Sequence, residues 1–347
     1  MKTILFDINH PCDINLFKNV ISKLSEDKDN EVLITYLERK PVPAIIKKEL
    51  PEIKKKPIGK HRGTILSILF EANIVKFFRL FIYVLLKRPD LGVSFGSFVL
   101  GAVCKILRIK NIQYYDDPEN EKNKVLQEIT ADELYYPIFF SETRKIKKFH
   151  ALKEWAYLSP AYFTPNADII KKYKITEKNY IFIREVSTKT TNYIGQESNW
   201  LYLIKDAIPE SCDVILSLED KSKRHLYPEK WILLSEPVED IYSIIYYSCM
   251  LISSGDSMAR EGALLGVPSI YSGERLMQAN TYLENMKILK KIQFSDLNNY
   301  IINFFNNKIT WPDQLSVRRE LSQKFDDLND IFLKHIKSGL DSKRYSY

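Results

Sequence analysis

Cysteine and histidine are scarce in this chain: four and five among 347 residues. Cys12, Cys104, Cys212 and Cys249 are scattered with no close pair, which argues against a disulfide framework or a thiolate metal site and for a reducing cytoplasm. No histidine stands at metal-ligand spacing from another, so no zinc signature and no metal or other cofactor is expected. Repeats and low-complexity tracts are missing too. The opening MKTILFDINH is a charged residue followed by a short strand, without the long apolar stretch of a secretory leader, and a cytoplasmic protein is expected. A net charge of +7 does not imply nucleic acid, because the basic residues are not interleaved with stacking aromatics and match no binding motif.

What is present is the composition of a soluble globular protein, 45% hydrophobic and 27% charged, long enough for two domains. Short apolar strands alternate with helical patterns. Strands are expected at 2–8, 31–36, 90–95 and 110–115, with helices at 14–25 and 98–107. A second series begins near 179, with strands in NYIFIRE, CDVILSL, WILLSE, MLISS and PSIYS and helices at 197–207 and 238–247. Such alternation implies parallel sheets with right-handed crossovers. The fold class is therefore α/β: two Rossmann-like, doubly wound domains, expected at 1–160 and 161–338 with a tail at 339–347. Pro160 and Pro165 mark a linker, and the last helix, about 313–337, has no strand after it. Ligands of open α/β sheets bind beyond the carboxyl ends of strands, so the site is expected in a cleft between the domains.

The basic run KKKPIGKHR at 54–62 leads into the apolar segment 64–87. As a helix, that segment gathers Ser67, Glu71, Lys76, Arg79, Tyr83 and Lys87 on one narrow stripe. Charges in mid-segment argue against a spanning helix. Two readings stay open: a helix buried against a sheet, or one lying in the headgroup layer with its lysines drawn to an anionic membrane surface. The basic cluster tilts the balance toward peripheral contact with the inner face of the cell membrane.

The strongest signal is MLISSGDSMAREGALLGVPSIY at 250–271: strand, Ser-Gly turn, helix, Gly266, Pro268, strand. A helix N-terminus fed by such a turn is an anion site, since unsatisfied amides and the helix dipole favour negative charge. Glu261, just beyond it, suits the paired hydroxyls of a ribose. The ligand expected is a nucleoside diphosphate.

Four stretches carry a family resemblance: FDINHPCDINLFKNVISKL at 6–24, GKHRGTILSILFE at 59–71, FHALKEWAYLSP at 149–160 and SGDSMAREGALLGVPSIY at 254–271. On these the chain resembles, over nearly its whole length, a bacterial and archaeal family of unknown function with the glycosyltransferase-B (GT-B) fold. Its wider relatives are the hydrolysing UDP-N-acetylglucosamine 2-epimerases and the N-acetylglucosaminyltransferase of the peptidoglycan lipid intermediate. The resemblance implies that Glu261 takes the ribose, that Ser254, Gly255 and Ser257 contact the diphosphate, and that Arg260 neutralises charge there. The family pattern has glycine where this chain has Asp256. A second phosphate loop is implied at 183–192, with Arg184, Ser187, Thr188 and Lys189, and Gln278 resembles an amide that reads sugar hydroxyls.

In the N-terminal half, Asp13 takes a loop position that is histidine in the transferase, and His10 lies three residues before it. Either could be the base that deprotonates an acceptor hydroxyl, while Asp13 also suits a helix cap. Asp116, Asp117 and Glu119 follow a strand on the cleft side, where the epimerases carry proton-shuttling acids. The segment FGSF at 95–98 lacks the histidine and acid of the epimerase signature. The expectation is a metal-independent glycosyltransferase that moves a sugar from a nucleotide-diphospho donor, a UDP-sugar first, to a lipid-linked or cell-surface glycan. The alternative is an epimerase or hydrolase acting on the same donor.

Overall fold

The computed structural model describes residues 1–39, 41–60, 71, 73–187, 201–235 and 238–342. The chain forms two compact units. One comprises Met1–Tyr157 with Lys324–Tyr347, the other Leu158–Gln323.

The first unit contains β1 (Lys2–Ile8), α1 (Pro11–Glu26), β2 (Asn30–Glu38), α2 (Val42–Glu49), β3 (Lys54–Lys60), α3 (Lys76–Lys87), β4 (Leu91–Phe95), α4 (Phe98–Ile106), β5 (Lys110–Tyr114), α5 (Glu121–Thr130), β6 (Glu133–Pro137) and β7 (Ile146–Phe149). Its strands run in the order β3-β2-β1-β4-β5-β6-β7, every pair parallel. The turn α6 (Trp155–Leu158) leads out of it. The second unit contains α7 (Asp168–Lys171), β8 (Tyr180–Glu185), β9 (Asp213–Leu218), β10 (Ile232–Leu233), α8 (Ile241–Tyr246), β11 (Met250–Ser253), α9 (Asp256–Leu264), β12 (Ser269–Tyr271), α10 (Gln278–Asn285), β13 (Leu289–Lys291), α11 (Phe294–Phe305) and α12 (Gln314–Lys324). Here the order is β10-β9-β8-β11-β12-β13, again all parallel. The final helix is α13 (Leu328–Asp341).

In both sheets the strand order reverses in mid-sheet, between β1 and β4 and between β8 and β11. That reversal is the switch point at which open α/β sheets take ligands. It forms because strands buried on both faces, such as Ile4–Phe6 and Ile181–Ile183, need helices above and below. Side-chain alternation divides the layers: Phe6 meets Phe17 of α1 at 5.4 Å between ring centres, while Leu5 packs in the cluster formed by α3 and α4.

Several features depart from the sequence expectations. The helix expected at 313–337 is two helices, broken at Phe325–Asp327, where Asp327 accepts from the Asn329 amide at 2.8 Å and caps α13. α13 belongs to the first unit, not the second. It buries Leu328, Phe332 and Ile336, and Phe332 lies 4.5 Å from Tyr114 and 5.7 Å from Phe17, which stabilises by roughly 2–3 kcal/mol for that one ring.

The basic run at 54–60 is the edge strand β3. Its lysines are largely engaged: Lys54 with Glu31 at 2.6 Å, Lys60 with Glu38 at 3.5 Å, and Lys55 with the Leu50 and Pro51 carbonyls at 2.8 Å. Lysine on an edge blocks pairing with other chains. Of the segment expected to be helical at 64–87, residues 64–70 and 72 lie outside the described residues, and α3 starts at Lys76. Lys76, expected on the polar stripe, is buried. Finally, the strand expected at 231–236 shortens to Ile232–Leu233, and 201–207 is a tight 3-10 turn.

Candidate functional site

The second unit's rim is built around the turn from β11 into α9. Gly255 caps α9, its amide donating to Ser253 Oγ at 3.0 Å. The first turn-closing bond is Ala259 N–H to Gly255 C=O at 3.3 Å, so the amides of Asp256, Ser257 and Met258 precede the helical ladder. Ser254 Oγ accepts from the Val186 amide at 2.9 Å, which ties this turn to the exit of β8. Gly266 ends the helix region at φ +73°, a conformation that favours glycine.

Glu261 lies two turns into α9, 8% exposed, and accepts from the Tyr242 hydroxyl at 3.1 Å. Asp256 and Arg260 form a buried pair at 3.0 Å. Arg260 also reaches Asn280 Oδ1 at 3.2 Å and Ser257 Oγ at 3.3 Å. At 1% exposure the charge of Arg260 is engaged by the acid at the turn. The i,i+4 spacing on α9 brings the two charges together.

A second cation, Arg275, lies 3.8 Å from Asp256 and is partly exposed. The loop after β12 carries it there. At Gly273 an added Cβ would stand 2.3 Å from the Ser254 carbonyl, so only glycine lets the loop lie that close. Gln278 is exposed at the start of α10.

On the other flank Arg184 donates to Ser217 Oγ at 2.9 Å and pairs with Glu219 at 2.7 Å. The same carboxylate accepts from the Ser187 amide at 2.8 Å. Glu219 thus sets the loop that starts at Ser187, while Thr188 and Lys189 lie outside the described residues. Ser254, Gly255, Ser257 and Glu261 gather on the β11–α9 turn, with Arg184 and Ser187 on the adjoining strand exit. Arg275, Tyr242 and Glu219 were not found by sequence reasoning; their only signal was a place in loops following apolar strands.

In the first unit α1 begins at Pro11, three residues earlier than expected, and its cap is His10 rather than Asp13. His10 Nδ1 accepts from the Cys12 amide at 3.3 Å, while Asp13 Oδ2 accepts from the amides of Asn9 at 2.8 Å and His10 at 3.0 Å, a reciprocal capping box. Asp13 Oδ1 accepts from the Cys12 thiol at 3.4 Å. Asp13 is 2% exposed. Burial pushes its carboxyl up to about 6, against the opposing pull of these hydrogen bonds and of Lys153. A carboxyl near neutrality is well matched to proton abstraction.

Asp116, Asp117 and Glu119 do not act as one cluster. Asp116 is buried and pairs with Lys153 at 2.7 Å, Asp117 is half-buried and Glu119 exposed. Beneath lies a polar knot around Asp7, fully buried. It accepts from Lys76 at 2.6 Å, Ser97 at 2.5 Å and Thr35 at 2.9 Å, and Lys76 also bonds Asn9. Asp7 at the end of an apolar strand and Lys76 amid phenylalanines were the only traces of it in sequence. Among the described residues no group of three His, Cys, Asp or Glu could hold a metal ion.

The family described as a protein of unknown function (DUF354) matches residues 2–340. The chain belongs to that family. A curated relative, the uncharacterized protein MJ0665 of Methanocaldococcus jannaschii, is 22% identical over 314 residues, covering 86% of this chain and 90% of that protein.

Among solved structures, UDP-GlcNAc 2-epimerase from Neisseria meningitidis bound to UDP-GlcNAc superposes with a TM-score of 0.64 at 13% identity, over 97% of this chain and 100% of that one. The glycosyltransferase VinC in complex with dTDP does so with a TM-score of 0.68 at 10% identity, over 98% and 99%. At such identities the likeness establishes the fold, which is of the GT-B type, as the resemblance implied.

Proposed function

We propose that this protein is a metal-independent glycosyltransferase that takes its sugar from a nucleoside-diphospho donor, UDP-linked in the first instance. The observation that carries the reading is the β11–α9 turn at a switch point, with Glu261 held by Tyr242 two turns into the helix. The amides opening α9 hold the diphosphate and stabilise it as it leaves. Glu261 accepts from the ribose hydroxyls, and Ser254, Gly255 and Ser257 shape the turn. Arg275 supplies the accessible positive charge, while Arg184 and Ser187 flank it at the exit of β8 and Gln278 meets the sugar. Nucleotide ligands bound by neighbours of the same fold, UDP-GlcNAc and dTDP, support a nucleoside diphosphate and leave the base to the assay.

The N-terminal unit supplies the base. Asp13 fits better than His10, because its burial sets proton affinity near neutrality whereas His10 is an exposed cap. The acceptor is a lipid-linked or cell-surface glycan, met by the protein at the inner membrane surface. Support comes from α3 and the residues leading into it: Ile74, Phe78, Ile82 and Leu86, at intervals of four, are 47%, 62%, 57% and 77% exposed, with Arg79, Lys87 and Arg88 exposed beside them. An apolar stripe rimmed by cations suits anionic lipid. Among the described residues no helix is long and apolar enough to cross a membrane.

Calorimetry with UDP tests the donor site. Glu261→Ala weakens binding by about 2–3 kcal/mol, the size of a charged hydrogen-bond pair; unchanged affinity removes Glu261 from the site. Incubating UDP-GlcNAc without acceptor separates the rival epimerase or hydrolase, which would release UDP and an altered free sugar. Phe78→Ser with Ile82→Ser lowers co-sedimentation with anionic liposomes and leaves UDP affinity alone; unchanged sedimentation refutes the membrane contact.

A further inference from the structure

Asn9 is the first residue beyond β1, and helices on opposite faces of the sheet hold it. Leu5 packs with α3 and α4 while Phe6 packs with α1, so Asp7, two residues on from Leu5, points to the α3 side. There Lys76, at the start of α3, donates from Nζ to Asp7 Oδ2 at 2.6 Å and to Asn9 Oδ1. The main-chain amide of Asn9 donates the other way, to Asp13 Oδ2 in α1 at 2.8 Å, and the His10 amide joins it at 3.0 Å. One residue thus links the Lys76 ammonium to the Asp13 carboxylate through two hydrogen bonds.

Lys76 is itself firmly placed. Its partner Asp7 accepts from Ser97 Oγ at 2.5 Å and from Thr35 Oγ1 at 2.9 Å, the first from the cap of α4 and the second from β2. Lys76 and Asp7 are 1% and 0% exposed. Desolvation of such a pair offsets most of its attraction, and apolar side chains of like volume are often as stable. Folding alone therefore does not account for the knot. An ammonium has three donors; one meets Asp7, and a second goes to the turn that carries Asp13.

We propose that Lys76 is a positioning residue of the N-terminal site: by gripping the Asn9 side chain it fixes the Asn9 and His10 amides against the Asp13 carboxylate and sets the direction from which that group accepts a proton. This rests on the reading of Asp13 as the base. Two amides on one carboxylate oxygen favour its ionised form, against the burial that opposes it. The other charged and titratable groups acting on Asp13 are Cys12 of its own turn, whose thiol donates at 3.4 Å, and Lys153 from the segment after β7. Neither touches Asn9 or Lys76 through a hydrogen bond described for them, so the two contributions can be separated.

The test is titration of Asp13 in the full-length protein labelled with carboxyl-carbon-13 aspartate, its resonance identified by loss in Asp13→Asn. The wild-type carboxyl titrates at about 6. Asn9→Ala keeps the main-chain amide and the Asp7–Lys76 pair but removes the acceptor that Lys76 holds. The amides then loosen, and the Asp13 midpoint moves upward by roughly 0.5–1 pH unit, the share of one hydrogen bond to a carboxylate. The double variant Asp7→Asn with Lys76→Met removes one charge of each sign, so the net field changes little, yet it also releases Asn9 and shifts the midpoint the same way. Adding Asn9→Ala to that double variant produces no further shift, because the same link has already been cut.

If Asn9→Ala does not fold, the double variant alone decides. An Asp13 midpoint unmoved in either variant, or a triple variant whose shift is the sum of the two, overturns the assignment. A loss of stability without a change at Asp13 counts against it as well, since that is what a purely structural knot would give. These midpoints are read without any substrate, so they stand apart from UDP binding in Glu261→Ala, which tests the donor reading, and from sugar transfer in Asp13→Asn, which tests the base.

Discussion

Replacing Asp13 by asparagine removes a titration while leaving an oxygen to accept from the Asn9 and His10 amides, and its consequence for stability can be worked out in sign and size. The carboxyl ionises at about 6 in the folded chain against an ordinary 3.8. Between those values the native state holds a proton that the unfolded chain has released, so stability falls as pH rises through that window and stays reduced above it. Roughly two pH units at 1.36 kcal/mol each give a penalty of ~3 kcal/mol at neutral pH.

The uncharged amide of the variant escapes that penalty. Asp13→Asn is therefore expected to raise the melting temperature by roughly 6–12 °C at pH 7.5, on the scale for a unit of this size, with the difference shrinking toward zero by pH 4. The same variant should lose about 10²–10⁴-fold in sugar transfer if Asp13 is the base. Differential scanning calorimetry from pH 4 to 8 reads the first effect. A gap between wild type and variant that does not change with pH refutes the buried, proton-holding carboxyl.

Two further substitutions address charge pairs in each unit. Arg260→Met removes the 3.0 Å partner of Asp256 and leaves Arg275 at 3.8 Å as a weaker counter-charge, so it is expected to destabilise by about 3 kcal/mol; urea unfolding within about 1 kcal/mol of wild type would refute the buried pair as a stabilising contact. Lys76→Met leaves Asp7 buried beside Ser97 and Thr35 alone and is expected to lose a similar ~3–5 kcal/mol, with Asp7→Asn added to Lys76→Met recovering much of it. A double variant no more stable than the single one would mean that the lysine matters for packing and not for charge.

The two-sheet α/β architecture was legible in the sequence because burial on both faces forces continuous apolar strands, and strand–helix alternation leaves only parallel crossovers. The β11–α9 turn was legible as well, since Ser-Gly before a helix and Gly266-Pro268 after it are local backbone requirements. Sequence did not reveal the lysine-rich edge strand β3, because edge protection suppresses the apolar alternation by which strands are read. Nor did it reveal that Lys76 turns inward while Phe78 and Ile82 turn outward: hydrophobic periodicity assigns the charged stripe to solvent, and only Asp7 across 69 residues of chain reverses it.

The sequence by itself determined most of the elements, their parallel arrangement and the strand–turn–helix at β11–α9, all matters of neighbouring residues. Only the tertiary structure decided that α13 returns to the first sheet, that Arg260 serves Asp256, and that Lys153 stands by Asp116 within electrostatic reach of Asp13. Electrostatic energy falls off with distance in space and takes no account of separation along the chain, so which charges meet is known only once the strands carrying them lie side by side.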